Sequence, residues 1–193
     1  MSSIEISSDE LSHIIDSKAP VLILDIRAKG NYLHGHIPSS ANAVCQNMQQ
    51  KQVIMSKIPP SMKIILVDDD ATEAKQNAMM MARFGFDAHY LKDGIKSWKK
   101  ELVKSSWDVT ISGDNLWESL KQNEDVFLLD VREPEEYADF KIPGAVNIPL
   151  SHLFFPSSQS QIPKDKKIVT VCSHGNRSMV ATFALAQNGI EAT

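Results

Sequence analysis

A single cysteine stands in a short polar loop near the end of the chain. The stretch V-T-V-C-S-H-G-N-R-S-M-V, residues 169–180, places Cys172 after an apolar run of strand length and five positions before Arg177. A loop between a strand and a helix can aim successive backbone N–H groups at one point, and the helix dipole adds partial positive charge there. Such a loop favours the thiolate, which is the reactive form of cysteine. The pattern therefore predicts Cys172 as a catalytic nucleophile beside an anion-binding loop.

The neighbours of Cys172 supply groups that suit an anion. Gly175 permits a close backbone approach or a positive φ, and Arg177 carries a fixed positive charge that either lines the pocket mouth or points to solvent. His174 either contacts substrate or caps the loop. A sulfur donor or a phosphate ester would fit such a site. The predicted substrate-binding residues are Ser173, His174, Gly175, Asn176, Arg177 and Ser178.

The amino-acid composition excludes several classes of protein. The chain has 193 residues, 42% hydrophobic and 23% charged, which suits one large globular domain or two small ones. Its net charge of −4 gives no reason to expect nucleic acid or an anionic membrane as a partner. No export signal or apolar run of membrane-spanning length is found. The two cysteines, Cys45 and Cys172, form no disulfide or zinc pattern, so we expect a cytoplasmic location and a structural role for Cys45.

An internal repeat organises the whole chain. The stretch Val21–Arg27 recurs as Val126–Arg132 at an offset of 105 residues, and Lys63–Val67 matches Lys167–Val171 at an offset of 104. Tyr, Ile-Pro, Asn and Gly residues recur at the same offsets. We therefore predict two copies of one domain, spanning residues 1–103 and 108–193.

Each copy alternates strand-length apolar runs with helical patterns, which predicts an α/β fold with a parallel sheet. Ser8 offers a helix N-cap, and the stretch 113–120 repeats that helical pattern. Further helices are predicted over residues 74–84 and 178–188, with Gly85 and Gly189 as C-caps. In such folds ligands bind at the carboxyl ends of strands, which is where the Cys172 loop is expected.

These motifs resemble the rhodanese superfamily. Cys172–Ser178 is similar to the family's active-site loop, and Leu129–Tyr137 followed by Ile142–Pro149 is similar to its other signature region. The resemblance implies tandem five-stranded parallel sheets flanked by helices. It also implies a cofactor-free sulfurtransferase, in which Cys172 takes a sulfane sulfur from thiosulfate or a persulfide. The cysteine persulfide then passes the sulfur to a thiol or to a cyanide-like acceptor.

Two alternatives remain open. Cysteine-dependent phosphatases, and arsenate reductases with them, are the nearest chemical rival, but the phosphatases place five residues between cysteine and arginine. Here only four intervene, and the tighter loop favours a sulfane sulfur over a phosphoryl group. The other alternative is a non-catalytic module that uses the rhodanese fold to dock a partner protein. His34-Gly-His36 resembles a metal pair but is interpreted as the turn before an Ile-Pro motif, so no metal is predicted.

The first copy differs at the position of the predicted nucleophile. Gapless alignment places Asp68 opposite Cys172 and Glu73 opposite Arg177, so the first copy is predicted to be non-catalytic, with carboxylates in its anion site. Asp130 and Arg132 recur as Asp25 and Arg27. Because this pair is present where no chemistry can occur, we interpret Asp130 and Arg132 as a structural ion pair behind the site.

The second copy is shorter at its end. Residues 191–193 correspond to about 86–89, so the copy is predicted to lack the last strand and the closing helix that Tyr90–Glu101 supply in the first. That absence predicts an exposed edge beside the cysteine-bearing strand. A truncated chain, a swapped strand or a homodimer would each account for it.

Overall fold

The computed structural model describes residues 4–17, 19–43, 56–59, 61–104, 111–122, 124–173, 175–186, 188–190 and 192–193. The chain divides into two compact units, residues 1–105 and 106–193. The sequence boundaries at 103 and 108 lie close to this division. They stay a prediction, because residues 105–110 are outside the described ones.

The strands of the first unit are β1 (Glu5–Ile6), β2 (Val21–Asp25), β3 (Ser40–Asn42), β4 (Lys63–Val67) and β5 (Ala88–Leu91). They form a five-stranded parallel sheet in the order β1-β5-β4-β2-β3. The helices of this unit are α1 (Ser8–Asp16), α2 (Lys29–His34), α3 (Thr72–Arg83) and a 3-10 turn at Gly94–Ser97. Every residue of β2 is buried. Burial on both faces explains why the run is apolar without alternation.

Helix starts differ slightly from the sequence prediction. Ser7, not Ser8, caps α1, because the Ser7 hydroxyl accepts the Glu10 N–H at 3.2 Å while the Glu10 carboxylate accepts the Ser7 N–H at 2.8 Å. The helix predicted from residue 74 begins at Thr72, since the positive φ of Ala71 completes the turn into it. Gly85, which follows the C-cap of α3, has φ +87°, as a helix-ending glycine requires.

The closing helix predicted after β5 is a single 3-10 turn. No helix follows among residues 98–104, and Val103 exchanges backbone hydrogen bonds with His36 at 2.9 Å in each direction. This antiparallel bridge commits the backbone N–H and carbonyl of Val103 to a partner outside any helix. Trp98 packs against the apolar core of the first unit, as expected for a closing tryptophan.

The second unit has a three-stranded parallel sheet within the described residues, in the order β7-β6-β8. Its strands are β6 (Val126–Asp130), β7 (Val146–Asn147) and β8 (Lys167–Val171). Its helices are α4 (Gly113–Lys121), α5 (Pro134–Asp139), α6 (Leu150–Leu153), α7 (Pro156–Gln159) and α8 (Asn176–Ala186). The register repeats that of the first unit: Val126 pairs with Lys167 as Val21 pairs with Lys63.

The outer side of β8 carries the beginning of a further strand. Ala192 forms a parallel bridge to Ile168, and Thr193 donates to the Ile168 carbonyl at 2.9 Å and accepts from the Thr170 N–H at 2.7 Å. The equivalent first pairing in the other unit joins Ile64 and Ala88. The edge predicted to be bare is therefore paired at its first positions. Within the described residues no helix is long and apolar enough to cross a membrane.

Candidate active site

The Cys172 loop, residues 172–178, lies at the carboxyl end of β8. Cys172 follows the last strand residue, Val171, and α8 begins at Asn176. The neighbouring strand β6 ends at Asp130, directly opposite Val171. The loop therefore occupies the edge of the sheet where parallel α/β folds bind ligands. Cys172 is half-buried and is not part of a disulfide.

Backbone N–H groups converge on the Cys172 sulfur. The Gly175 N–H donates to Sγ at 3.1 Å and the Ser178 N–H donates at 3.4 Å. The Ser178 hydroxyl lies 3.6 Å from Sγ and donates to the Gly175 carbonyl at 2.9 Å. Gly175 has φ +81°, and a Cβ built there would meet no atom within 4 Å, so the conformation rather than the space favours glycine. The loop is thus arranged to stabilise a negatively charged sulfur.

Arg177 is held by a carboxylate that the sequence analysis did not single out. Its guanidinium binds Glu136 of α5 through two hydrogen bonds, Nη1 to Oε2 at 2.5 Å and Nη2 to Oε1 at 2.8 Å. Ser173 completes the cluster, because its hydroxyl donates to Glu136 at 3.1 Å and accepts from Arg177 Nη2 at 3.3 Å. The Arg177 side chain is 11% exposed. It therefore neither points to solvent nor stands as an uncompensated charge at the pocket mouth.

The Glu136–Arg177 ion pair shifts the pKa values of both side chains. The Arg177 guanidinium lowers the pKa of Glu136 to about 2, against the opposing effect of partial burial. Glu136 in turn raises the pKa of Arg177, and Cys172 acts in the same direction. Glu136 is therefore a carboxylate throughout the neutral range. Both side chains reach the Cys172 loop through Ser173, whose hydroxyl they share.

An ion pair behind the loop joins Asp130 and Arg132. Asp130 is 1% exposed and binds Arg132 Nη2 at 2.6 Å, and the same nitrogen donates to the Phe140 carbonyl at 2.6 Å. Asn147 donates to the backbone carbonyls of both residues at 2.9 Å. In the described part of the chain, none of these groups is hydrogen-bonded to Cys172. The contacts tie the end of β6 to the Phe140 carbonyl, and the structural role of the pair stays a prediction.

The same framework recurs in the first unit. Arg27 binds Asp25 at 2.6 Å and the Gly35 carbonyl at 2.8 Å, and Asn42 donates to the carbonyls of Asp25 and Arg27. Asn42 and Asn147 were visible in the sequence only as repeated residues. Their recurrence at the offset of 105 was the signal that could have assigned them this role.

In the first unit a carboxylate takes the position of the sulfur. Asp68 Oδ1 accepts the Ala71 N–H at 2.6 Å, and Oδ2 accepts the N–H groups of Glu73 at 2.8 Å and Ala74 at 2.9 Å. Ala71 and Ala74 are the counterparts of Gly175 and Ser178 at the offset of 104. Asp68 is 6% exposed. In the first unit these N–H groups are therefore satisfied by the unit's own carboxylate, and its lack of catalytic activity stays a prediction.

Comparison with known proteins agrees with the repeated fold. The chain matches the rhodanese-like domain family over residues 7–101 and again over residues 112–192. The chain belongs to the rhodanese-like domain family. The two units are thus two rhodanese-like domains, which we call the first and second domains.

Relatives of these rhodanese-like domains include named sulfurtransferases. The chain is 42% identical over 79 residues to a sulfurtransferase of Allochromatium vinosum, covering 41% of this chain and 72% of that protein. It is 32% identical over 82 residues to the mitochondrial thiosulfate sulfurtransferase RDL2 of Saccharomyces cerevisiae, covering 37% of this chain and 55% of that protein. A solved thiosulfate sulfurtransferase of Pseudomonas aeruginosa aligns with 99% of this chain and 42% of its own, at 19% identity and a TM-score of 0.45.

The remaining predicted positions in the rhodanese-like domains are placed as follows. His174, the side chain of Asn176 and Cys45 lie outside the described residues. His34 and His36 each have Nδ1 at a backbone carbonyl, Gly30 at 2.7 Å and Tyr32 at 3.0 Å. Among the described residues no group of three or more His, Cys, Asp or Glu side chains could hold a metal ion.

Proposed function

We propose that the second domain is a sulfurtransferase that uses Cys172 as the nucleophile and persulfide carrier. The observation that carries the proposal is the pair of N–H groups, from Gly175 and Ser178, that converge on the Cys172 sulfur. Membership of the rhodanese-like family and the names of the relatives support the same reaction. The donor is thiosulfate or a persulfide, and the acceptor is a thiol or cyanide.

The first half-reaction loads the enzyme. The Cys172 thiolate attacks the sulfane sulfur of the donor, so a new bond from Sγ forms while the donor's sulfur–sulfur bond breaks. The leaving group is sulfite from thiosulfate, or a thiolate from a persulfide, and it departs with the bonding electron pair. In the second half-reaction the acceptor attacks the outer sulfur of the Cys172 persulfide. The product is thiocyanate or a new persulfide, and the Cys172 thiolate is restored with its N–H donors in place.

The first domain takes no part in this chemistry. Its loop presents Asp68, whose carboxylate is held by three backbone N–H groups and has no sulfur to transfer. We propose that the first domain is a scaffold or a docking partner. A cytosolic location and a homodimer stay predictions.

Phosphatase or arsenate-reductase chemistry is less well supported. Phosphate-ester hydrolysis by a cysteine requires a carboxylic acid that protonates the leaving oxygen. Among the described residues, the carboxylate that is hydrogen-bonded to loop side chains is Glu136, which Arg177 keeps ionised with a pKa of about 2. A group with that pKa cannot act as a general acid at neutral pH. A purely non-catalytic docking module is also less well supported, because the domain without a nucleophile carries Asp68 at these N–H groups, whereas the second domain carries a cysteine.

The test is the intact mass of the purified protein after incubation with thiosulfate or with a persulfide donor. We expect a gain of one sulfur atom, which is lost on addition of cyanide and is absent from Cys172→Ser. The same chain with Asp68→Asn is the matched control, because it changes the equivalent loop of the first domain and should load normally. If the folded protein gains no sulfur from either donor, the sulfurtransferase proposal fails and the docking module replaces it.

A further inference from the structure

The charges around the Cys172 loop are compensated. Both terminal nitrogens of Arg177 are bound to Glu136, and Arg132 is bound to Asp130. Lys141 lies 4.7 Å from the centre of the Tyr137 ring. Glu135 and Asp139 of helix α5 are exposed and form no ion pair among the described residues. Within the described part of the loop, the backbone N–H groups are therefore the main attraction for an anion.

This pairing is not a requirement of the fold. The structural pair of Asp130 and Arg132 recurs in the first domain as Asp25 and Arg27, with the same geometry. The counterparts of Glu136 and Arg177, in contrast, are Asn31 and Glu73, which cannot form such a pair. The Glu136–Arg177 pair therefore occurs only in the domain that carries the cysteine. Its absence from the other copy, which folds without it, indicates that it serves the site.

The two classes of sulfur donor differ in charge. Thiosulfate is a dianion, so its attack by the Cys172 thiolate gathers three negative charges in the loop. An alkyl hydropersulfide reacts through its protonated, uncharged form, so the transition state carries only the single charge of the thiolate. Even the ionised hydropersulfide carries one negative charge fewer than thiosulfate. Coulomb repulsion between charges a few ångströms apart is substantial at a partly buried site, so a neutralised Arg177 penalises the dianion more.

We propose that Glu136 is a specificity-determining residue: by neutralising Arg177 beside the Cys172 loop, it selects persulfide donors with little charge over dianionic thiosulfate. This inference rests on the proposed sulfurtransferase function and names the donor class of the same site. Glu136 does not touch the sulfur itself. It acts through Arg177 and Ser173, both of which it contacts.

The test compares two donors on three proteins. The donors are thiosulfate and 2-hydroxyethyl hydropersulfide, and the readout is the rate constant for loading Cys172 per unit donor concentration, followed by intact mass. The proteins are the wild type, Glu136→Gln and Glu135→Gln. Glu135 is the matched control, because it loses the same charge from the same helix, is exposed and makes no contact with Arg177 among the described residues.

We expect Glu136→Gln to shift the thiosulfate-to-persulfide ratio of loading rates towards thiosulfate by about tenfold, whereas Glu135→Gln shifts it by less than about twofold. The ratio separates specificity from positioning, since a loosened loop slows loading by both donors equally. A ratio unchanged in Glu136→Gln would overturn the inference. So would a wild type that loads faster with thiosulfate than with the hydropersulfide.

Ionic strength provides a second test on the wild type, which does not depend on the folding of a variant. Raising the KCl concentration should leave hydropersulfide loading unchanged and speed up thiosulfate loading, because salt screens the repulsion between thiolate and dianion. Thiosulfate loading that falls with salt would mean that an uncompensated cation attracts the donor, which contradicts the inference. If neither donor loads Cys172 in the wild type, the proposed function fails, and the donor preference fails with it.

Discussion

The loop after β4 in the first domain and the loop after β8 in the second direct equivalent N–H groups at different atoms. In one, Ala71 and Ala74 donate to the carboxylate of Asp68; in the other, Gly175 and Ser178 donate to the sulfur of Cys172. Backbone donors do not depend on side-chain identity, so the site survives when its occupant changes. The anion site therefore belongs to the fold, and the residue at one position decides between a structural cap and a nucleophile.

The largest effect should come from making the second loop like the first. Cys172→Asp removes the nucleophile and supplies a carboxylate to the same N–H groups, so sulfur loading should vanish while the second domain becomes more stable. We expect Cys172→Asp to exceed Cys172→Asn in unfolding free energy by about 1 kcal/mol, because the charged acceptor binds these donors and the helix N-terminus more strongly. Denaturant unfolding with intact-mass analysis checks both parts.

Cys172→Asn is the matched control, since it differs from Cys172→Asp only in charge. Equal stability of the two variants would contradict the view that this loop is an anion site. Residual loading of either variant by thiosulfate or by a persulfide would mean that Cys172 is not the carrier.

The next-largest effect, on the free energy of unfolding, concerns the Asp–Arg ion pair that occurs in both domains. Arg27→Ala and Arg132→Ala each leave a buried aspartate without its partner, Asp25 or Asp130, and each should lower the unfolding free energy of its own domain by about 3 kcal/mol. Hydrogen exchange can assign the loss to one domain. Lys121→Ala is the control, because its pair with Glu118 is solvent-exposed and should contribute less than about 1 kcal/mol.

A loss of unfolding free energy in Arg132→Ala but not in Arg27→Ala would contradict the equivalence of the two ion pairs. It would mean that the pair serves the cysteine-bearing site rather than the fold common to both domains.

Substitution of Asp68 should cause a smaller loss of unfolding free energy. Asp68→Ala removes the acceptor of three backbone N–H groups and should cost the first domain about 2 kcal/mol, because buried donors are left unsatisfied or must recruit water. Asp69→Ala, whose side chain is 58% exposed, should change the free energy by less than about 0.5 kcal/mol. Denaturant titration of both variants checks the difference. Equal effects would show that the carboxylate of Asp68 is not a structural replacement for an anion.

The sequence predicted the features that repeat. The parallel sheet, the position of Cys172 at a strand end and the Asp130–Arg132 pair all followed from residues that recur at a fixed offset or from local pattern. Glu136 was missed because its partner, Arg177, lies 41 residues away in sequence and because the pair has no counterpart in the first domain. Pairing between distant side chains depends on how α5 packs beside the loop, and no local pattern encodes that.

The ends of some secondary-structure elements could not be predicted from the sequence either. The closing helix predicted after β5 is a 3-10 turn, and Val103 beyond it bonds to His36, a tertiary contact that no local pattern encodes. The start of a further strand at Ala192 was not foreseen. Alignment equated it with the end of the copy, whereas the register shows that Ala88, its counterpart, is already the first residue of β5.

The smallest predicted effect exchanges the residues at the turn of the two loops. Ala71 has φ +70° and Gly175 has φ +81°, so the same backbone conformation is occupied by alanine in one domain and by glycine in the other. Ala71→Gly should stabilise the first domain, and Gly175→Ala should destabilise the second, each by about 1 kcal/mol. No atom lies within 4 Å of a Cβ at residue 175, so the cost is conformational rather than steric.

Because the Gly175 N–H keeps its direction toward Sγ, Gly175→Ala should load sulfur within about tenfold of the wild-type rate, which is an increase of no more than about 1.4 kcal/mol in the activation barrier. Thermal unfolding and intact-mass kinetics of the two variants measure these quantities. A complete loss of sulfur loading in Gly175→Ala would show that an alanine tolerated beside the carboxylate of Asp68 is not tolerated beside the sulfur of Cys172. The two loops would then be equivalent in backbone conformation but not in the side chains that they accept.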